Sequence, residues 1–181
     1  MSIIAFKYVR SLLAMLTAAI LTACGLQQSV TEGTASAFDA VFHKQIKTLR
    51  LDFTAREELN TDAHEHHSSS QPVMIRIFQL RDKNAFEKAA YQQLTGDASG
   101  VLGSALLSEH DAILTPGGSV SLDQPLEKES RYVAVVALFR QPDLIKNSWR
   151  LLLTRAVLEP DTARLIELDG HTLKLVEKDK P

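Results

Sequence analysis

From Lys47 onward the chain alternates between apolar and polar positions. In KTLRLDFTA, Leu49, Leu51 and Phe53 fall on one face and Thr48, Arg50 and Asp52 on the other, the period-two signature of a half-buried strand. VMIRIFQL puts Val73, Ile75 and Ile77 on one face and Met74, Phe78 and Leu80 on the other, so both faces need cover. RYVAVVALF is almost continuously apolar and β-branched, as a central strand buried on both sides requires. WRLLLTRAVL predicts a further strand, and SVSLD a short one after the TPGG turn. RLIELDGHTLKLVE predicts a hairpin about Asp169-Gly170, because Asp-Gly favours the two-residue turn whose twist matches paired strands. That turn would set Ile166 beside Leu173.

One segment changes period. Asn84 stands as an N-cap with Glu87 three residues on, a capping-box arrangement. Phe86, Ala89, Ala90 and Leu94 then share a helical stripe, and Gly96 suits its end. VLGSALLSEHDAIL fits a second short helix or a loop running into a strand, and residues 38–46 fit a short helix or an irregular lead-in. AREELNTDAHEHHSSSQP has almost no apolar residue and no periodicity; a connection of that length is usually functional or disordered. About seven or eight strands with one or two inserted helices predict a mostly-β fold, two antiparallel sheets packed face to face.

The N-terminal pattern differs. Lys7 and Arg10 precede SLLAMLTAAILTA, which carries no charge. That run is short of the about 20 apolar residues of a membrane span and matches the apolar region of an export signal. Leu21-Thr22-Ala23-Cys24 resembles the bacterial lipobox, whose cysteine is diacylglycerylated before the chain is cut ahead of it and acylated again. A thiolate is the chain's best nucleophile for that lipid, and stable anchoring needs about two acyl chains. Cys24 is the single cysteine of the 181 residues, so no internal disulfide forms. By resemblance to bacterial lipoproteins, Gly25 in place of an aspartate implies sorting to the outer membrane. The expected organisation is a signal peptide over 1–23, the lipidated cysteine and a flexible tether over 24–46, and a β-sandwich domain over 47–181.

The formal net charge is -2, and no basic footprint points to nucleic acid. His64, His66 and His67 are of a type that suits zinc or copper, but only Glu65 or Asp62 is at hand as a fourth ligand; a solvated loop is the expectation. Ser108, His110 and Asp111 sit close together without the strand–nucleophile–helix signature of a hydrolase. TPGG lacks the lysine and helix of a phosphate-binding loop. Arg76, among apolar neighbours, is expected in a structural ion pair, and Trp149 as a core or edge anchor.

VMIRIFQLRDKNAFEKAAYQQL, LTPGGSVSL and YVAVVALFRQPDLIKNSWR together resemble, in this order, the TssJ family, outer-membrane lipoproteins of the type VI secretion apparatus. The local marks are Arg76, Phe86, Pro116-Gly117 and Trp149-Arg150, and the resemblance runs from about Lys47 to the C-terminus. It implies a transthyretin-like β-sandwich with an added helical portion. It also implies a non-enzymatic docking role: binding the periplasmic C-terminal domain of the inner-membrane protein TssM among other subunits of the secretion membrane complex, with the acyl chains in outer-membrane lipid. In the family the loop between the first two strands contributes to that contact. Here it is residues 55–71, and the candidate residues are Glu57, Glu58, Leu59, Asn60 and Asp62, Leu59 being the large apolar side chain of the stretch. No catalytic residue, metal or cofactor beyond the lipid on Cys24 is expected. Two rival roles are a periplasmic carrier holding an apolar ligand between the sheets and a metal-binding envelope protein using the histidines.

Overall fold

The computed structural model describes residues 46–62 and 69–177. The signal segment, Cys24, the tether and His64, Glu65, His66 and His67 lie outside them. Eight strands are formed: β1 (Thr48–Leu59), β2 (Val73–Leu80), β3 (Leu106–Leu114), β4 (Ser119–Pro125), β5 (Tyr132–Ala137), β6 (Arg150–Thr154), β7 (Arg164–Gly170) and β8 (Thr172–Leu175). They make two four-stranded sheets, in the orders β4-β1-β7-β8 and β3-β2-β5-β6. Every pair is antiparallel except β1 with β7, which is parallel. The first sheet is therefore mixed, where the alternation pattern led us to expect antiparallel pairing throughout.

The alternating apolar residues form the core. Leu49, Leu51, Phe53, Ile166 and Leu168 of one sheet and Ile75, Ile77 and Val135 of the other are fully buried. Each such side chain contributes about 1.5–3 kcal/mol over an exposed one. One polar residue is built into this layer. Gln79 donates to the Pro125 carbonyl and accepts from the Glu127 amide, both at 2.8 Å, which fastens β2 to the end of β4 across the sandwich.

The helical excursion is broken up. Where one helix was expected from Asn84 to Gly96, there are α1 (Asn84–Lys88) and α2 (Tyr91–Thr95), followed by α3 (Ala98–Leu102). Two arginines from the outer face of the second sheet account for the break. Arg150 donates to the carbonyls of Phe86, Glu87 and Ala89 at the end of α1, and Arg76 donates to those of Leu94 and Thr95 at the end of α2. A helix leaves its last carbonyls without partners, and a guanidinium with five donors takes several at once. The expected capping box is also absent: Lys83 holds the N-cap position of α1, and Glu87 pairs with its ammonium at 2.7 Å. Phe86 and Leu94 are buried as the stripe predicted, and Ala90 is exposed. VLGSALLSEHDAIL contains both of its alternatives, a helix and then a strand.

Two further differences concern connections. The turn of the last hairpin is Gly170-His171, with Gly170 at φ +56°, so Ile166 opposes Leu175 and Leu168 opposes Leu173. The register differs from the expected one by two residues, which keeps every side chain on its expected face. The connection from β1 to β2 is shorter than the 55–71 stretch, because β1 continues to Leu59. Backbone bonds hold the added residues in line: the Ala55 amide donates to Gly118, the Gly117 amide to Arg56, and the Asn60 amide to Gly170.

Candidate docking surface

Ile46 enters the sandwich at one end of β1, and Asn60 leaves at the other. The far end also carries the β3–β4 turn at residues 115–118, the β5–β6 loop at 138–149 and the Gly170-His171 turn, as the strand registers require. At the near end Arg155 donates to the carbonyls of Ile46, Glu127, Lys128 and Ser130, which holds the chain where it enters the fold.

A set of contacts, most of them between the sheets, stiffens the far end. Asn60 has φ +53°, a left-handed conformation that asparagine tolerates better than most residues. Its side chain accepts from the Arg140 amide at 2.8 Å and donates to the Pro72 carbonyl at 3.3 Å. Asp62 accepts from the Gln141 amide group and the Arg140 guanidinium. His171 meets the Thr61 carbonyl at 2.7 Å through Nε2 and packs edge-on against Phe139. The Leu173 amide donates to the Ser148 carbonyl.

The five candidate residues thus divide by role. Leu59 is fully buried and Asn60 is 3% exposed; both belong to the fold and neither presents a side chain outward. This corrects the placement of Leu59 on an open loop. The buried core takes the side chain that an isolated apolar residue in a polar run suggested was free. Asp62 is tied to the β5–β6 loop. Glu57 and Glu58 are exposed near the end of β1, and Asp169 is exposed on β7 just before the neighbouring turn.

The β5–β6 loop supplies what the polarity pattern did not single out. Leu144 is 60% exposed and Ile145 93%. Asp143 Oδ1 accepts from the amides of Ile145 and Lys146 at 3.0 and 2.9 Å, and these bonds, the Lys146 amide foremost, hold its carboxyl below the usual carboxylate range. Asn147 closes the loop at φ +53°. Behind it lies a cleft of about 590 Å³ lined by Ala89, Tyr91, Arg140, Pro142, Leu144 and Trp149, among others. Trp149 is 1% exposed and meets Tyr91 edge-on at 5.0 Å, while Arg150 lies over its ring. The Tyr91 hydroxyl donates to the Phe139 carbonyl at 2.6 Å. The Trp149-Arg150 pair therefore joins the helices to the sheet.

The other candidate chemistry is dispersed. Ser108 and His110 share one face of β3, whereas Asp111 lies on the opposite face with both carboxylate oxygens on Arg76. Arg76 also pairs with Glu109 at 3.1 Å and, held chiefly by Asp111, keeps its charge. No helix among the described residues is long and apolar enough to cross a membrane.

The family described as type VI secretion lipoprotein, VasD, EvfM, TssJ matches residues 47–171. Among solved structures, a chain in one described as the T6SS protein TssM C-terminal domain from EAEC is 44% identical with a TM-score of 0.66, over 74% of this chain and 100% of that one. A chain of a structure described as a type VI membrane complex has the same identity and a TM-score of 0.69, again over 74% of this chain and 100% of that one. Lip of Serratia marcescens, described as a membrane-bound component of the type VI secretion system, is 25% identical at a TM-score of 0.64, over 72% of this chain and 98% of that one. Among curated proteins no sequence match was found.

Proposed function

The chain belongs to the TssJ family of type VI secretion lipoproteins, and from that premise we propose that it anchors the secretion membrane complex to the outer membrane by docking onto the periplasmic C-terminal domain of TssM. In this role Cys24 carries the acyl chains, residues 25–45 span from the bilayer to the fold, and the sandwich acts without catalysis. One observation carries the docking assignment: exposed carboxylates Glu57, Glu58 and Asp169 gather at the end of β1 opposite Ile46. The chain enters the sandwich at Ile46, at the opposite end of β1 from these carboxylates. The match to chains from structures described by TssM and by the type VI membrane complex supports the choice of partner.

Charge at this end predicts the form of the interaction. Carboxylates facing a basic patch steer encounter and make association salt-sensitive. The test is calorimetric titration of the TssM periplasmic domain into the lipoprotein and into its Glu57→Lys/Glu58→Lys variant, at low and high salt. Weaker binding by the variant with a flatter salt dependence is expected. Binding by both proteins with equal affinity would move the contact off this end, and absence of wild-type binding would remove TssM as the partner.

A further inference from the structure

We propose that Leu144 and Ile145 form an apolar knuckle that inserts into a basic-rimmed apolar pocket of the partner domain, as a second anchor beside the acidic end of β1. The inference rests on the docking role above and adds the residues that give it affinity.

The first observation is exposure. At 60% and 93%, these two adjacent side chains are the most exposed large apolar pair of one loop among the described residues. Nothing in the fold covers them, yet the loop is built to keep them out. Asp143 fixes the amides of Ile145 and Lys146, Asn147 adopts a left-handed backbone, and Arg140 and Gln141 tie the start of the loop to Asp62. A loop held in one conformation loses little freedom on binding, which favours affinity. Contact energy at interfaces concentrates in a few desolvated side chains ringed by weaker contacts, and here the charged Asp143 and Lys146 flank the pair.

The second observation selects the occupant. Asp143 lies beside the pair with the exposed Lys146 ammonium 4.0 Å from its carboxylate, and Glu57, Glu58 and Asp169 add unbalanced negative charge at the same end, whereas Arg140 is engaged with Asp62 and Arg56 with Glu167. A bilayer surface bearing phosphates would repel the net negative charge of this end. The pair also lies at the end of the sandwich away from Ile46, where the tether enters. A protein pocket with an apolar floor and a basic rim fits both facts. The cleft behind the knuckle, lined by Tyr91, Pro142 and Leu144, would receive the rim of that pocket.

The experiment uses the full lipoprotein in phosphatidylcholine nanodiscs, titrated with the TssM periplasmic domain. Leu144→Ser/Ile145→Ser should bind at least tenfold more weakly with an unchanged melting temperature, and Ile145→Lys alone should weaken binding in the same direction. Wild-type affinity in these folded variants, with binding still reduced in Glu57→Lys/Glu58→Lys, would overturn the knuckle and leave the docking role standing. Absence of wild-type binding would remove both. If the substitutions instead abolish flotation with vesicles of an unlipidated chain beginning after Cys24, the pair belongs to the bilayer. If they abolish self-association, it belongs to a second copy. Either result overturns the proposal.

Discussion

Leu59→Ala separates a role in the fold from a role at an interface. Leu59 is fully buried at the last position of β1. The backbone around it is held on both sides: its carbonyl accepts from the Gln71 amide at 3.0 Å, and the Asn60 amide donates to Gly170 at 2.9 Å. Asn60 is fixed in turn by Arg140 and Pro72. A site so pinned cannot close easily over a lost side chain. Buried Leu→Ala changes cost about 2–5 kcal/mol, more where the cavity stays open, and pinning places this one at about 3 kcal/mol or above. For a domain of this size each kcal/mol moves the melting temperature by about 3–5 °C, so a fall of about 9–15 °C is expected. The assay is urea unfolding of both proteins, where a lower midpoint at unchanged slope reports stability alone. Partner titration below the transition then completes the comparison. An unchanged midpoint with lost partner affinity would refute the reasoning, since it would make Leu59 an exposed contact and β1 a shorter strand.

Arg150→Met should cost about 2–3 kcal/mol, because it leaves the carbonyls of Phe86, Glu87 and Ala89 without their charged donor and removes a cation from the Trp149 face. A thermal shift within error would show that water replaces the guanidinium at no loss. Cys24→Ser should abolish palmitate labelling, a chain beginning after Cys24 should be free of membranes, and labelling that persists would place the lipid elsewhere. Because its folded-state pKa is depressed, Asp143 holds the β5–β6 loop at pH above its ordinary 3.8 and loses that hold as pH falls through the lower folded value. The Ile145 and Lys146 amide resonances should therefore titrate below pH 3.8, and a midpoint above it would contradict the loop geometry.

What was legible along the chain was what burial writes into side chains. Leu49, Leu51 and Phe53 alternate because one face of β1 meets the core, and Tyr132–Ala137 runs apolar because helices and core cover both faces of β5. Backbone pairing leaves no such trace. Arg56, Glu57 and Glu58 stay in β1 through bonds to the residue 115–118 turn and to β7, while their side chains face water, so their polarity was mistaken for a loop. The break between α1 and α2 was hidden for a related reason: its cause, Arg150, lies more than sixty positions away. The hairpin register was ambiguous by two residues because an even shift changes no face. Exposure of Leu144 and Ile145 is likewise a tertiary property. Nothing in QPDLIKN singles them out, and only the folded loop shows that they point to solvent.

Under the proposed role the topology also decides how the domain bears load. The tether enters at Ile46 on β1, whereas the proposed anchor residues Leu144 and Ile145 belong to the β5–β6 loop of the other sheet, so a pull between the two membranes draws β1 lengthwise against the rest of the fold. This strand has 12 residues and spans about 40 Å at about 3.3 Å each. It is paired with β4 on one side and β7 on the other. Force along a strand loads the bonds of both ladders together, in shear, whereas force across a strand end would open them one at a time. Resistance to forced unfolding follows the unfolding rate rather than equilibrium stability, and simultaneous rupture of two ladders slows that rate. The parallel β1–β7 pair, unexpected in a chain of mostly adjacent antiparallel partners, thereby places the loaded strand inside its sheet instead of at an edge. Pulling the folded domain from Ile46 and from Ile145 should need a higher force than pulling it from Ile46 and Glu177. Equal forces would leave the position of β1 without a mechanical explanation.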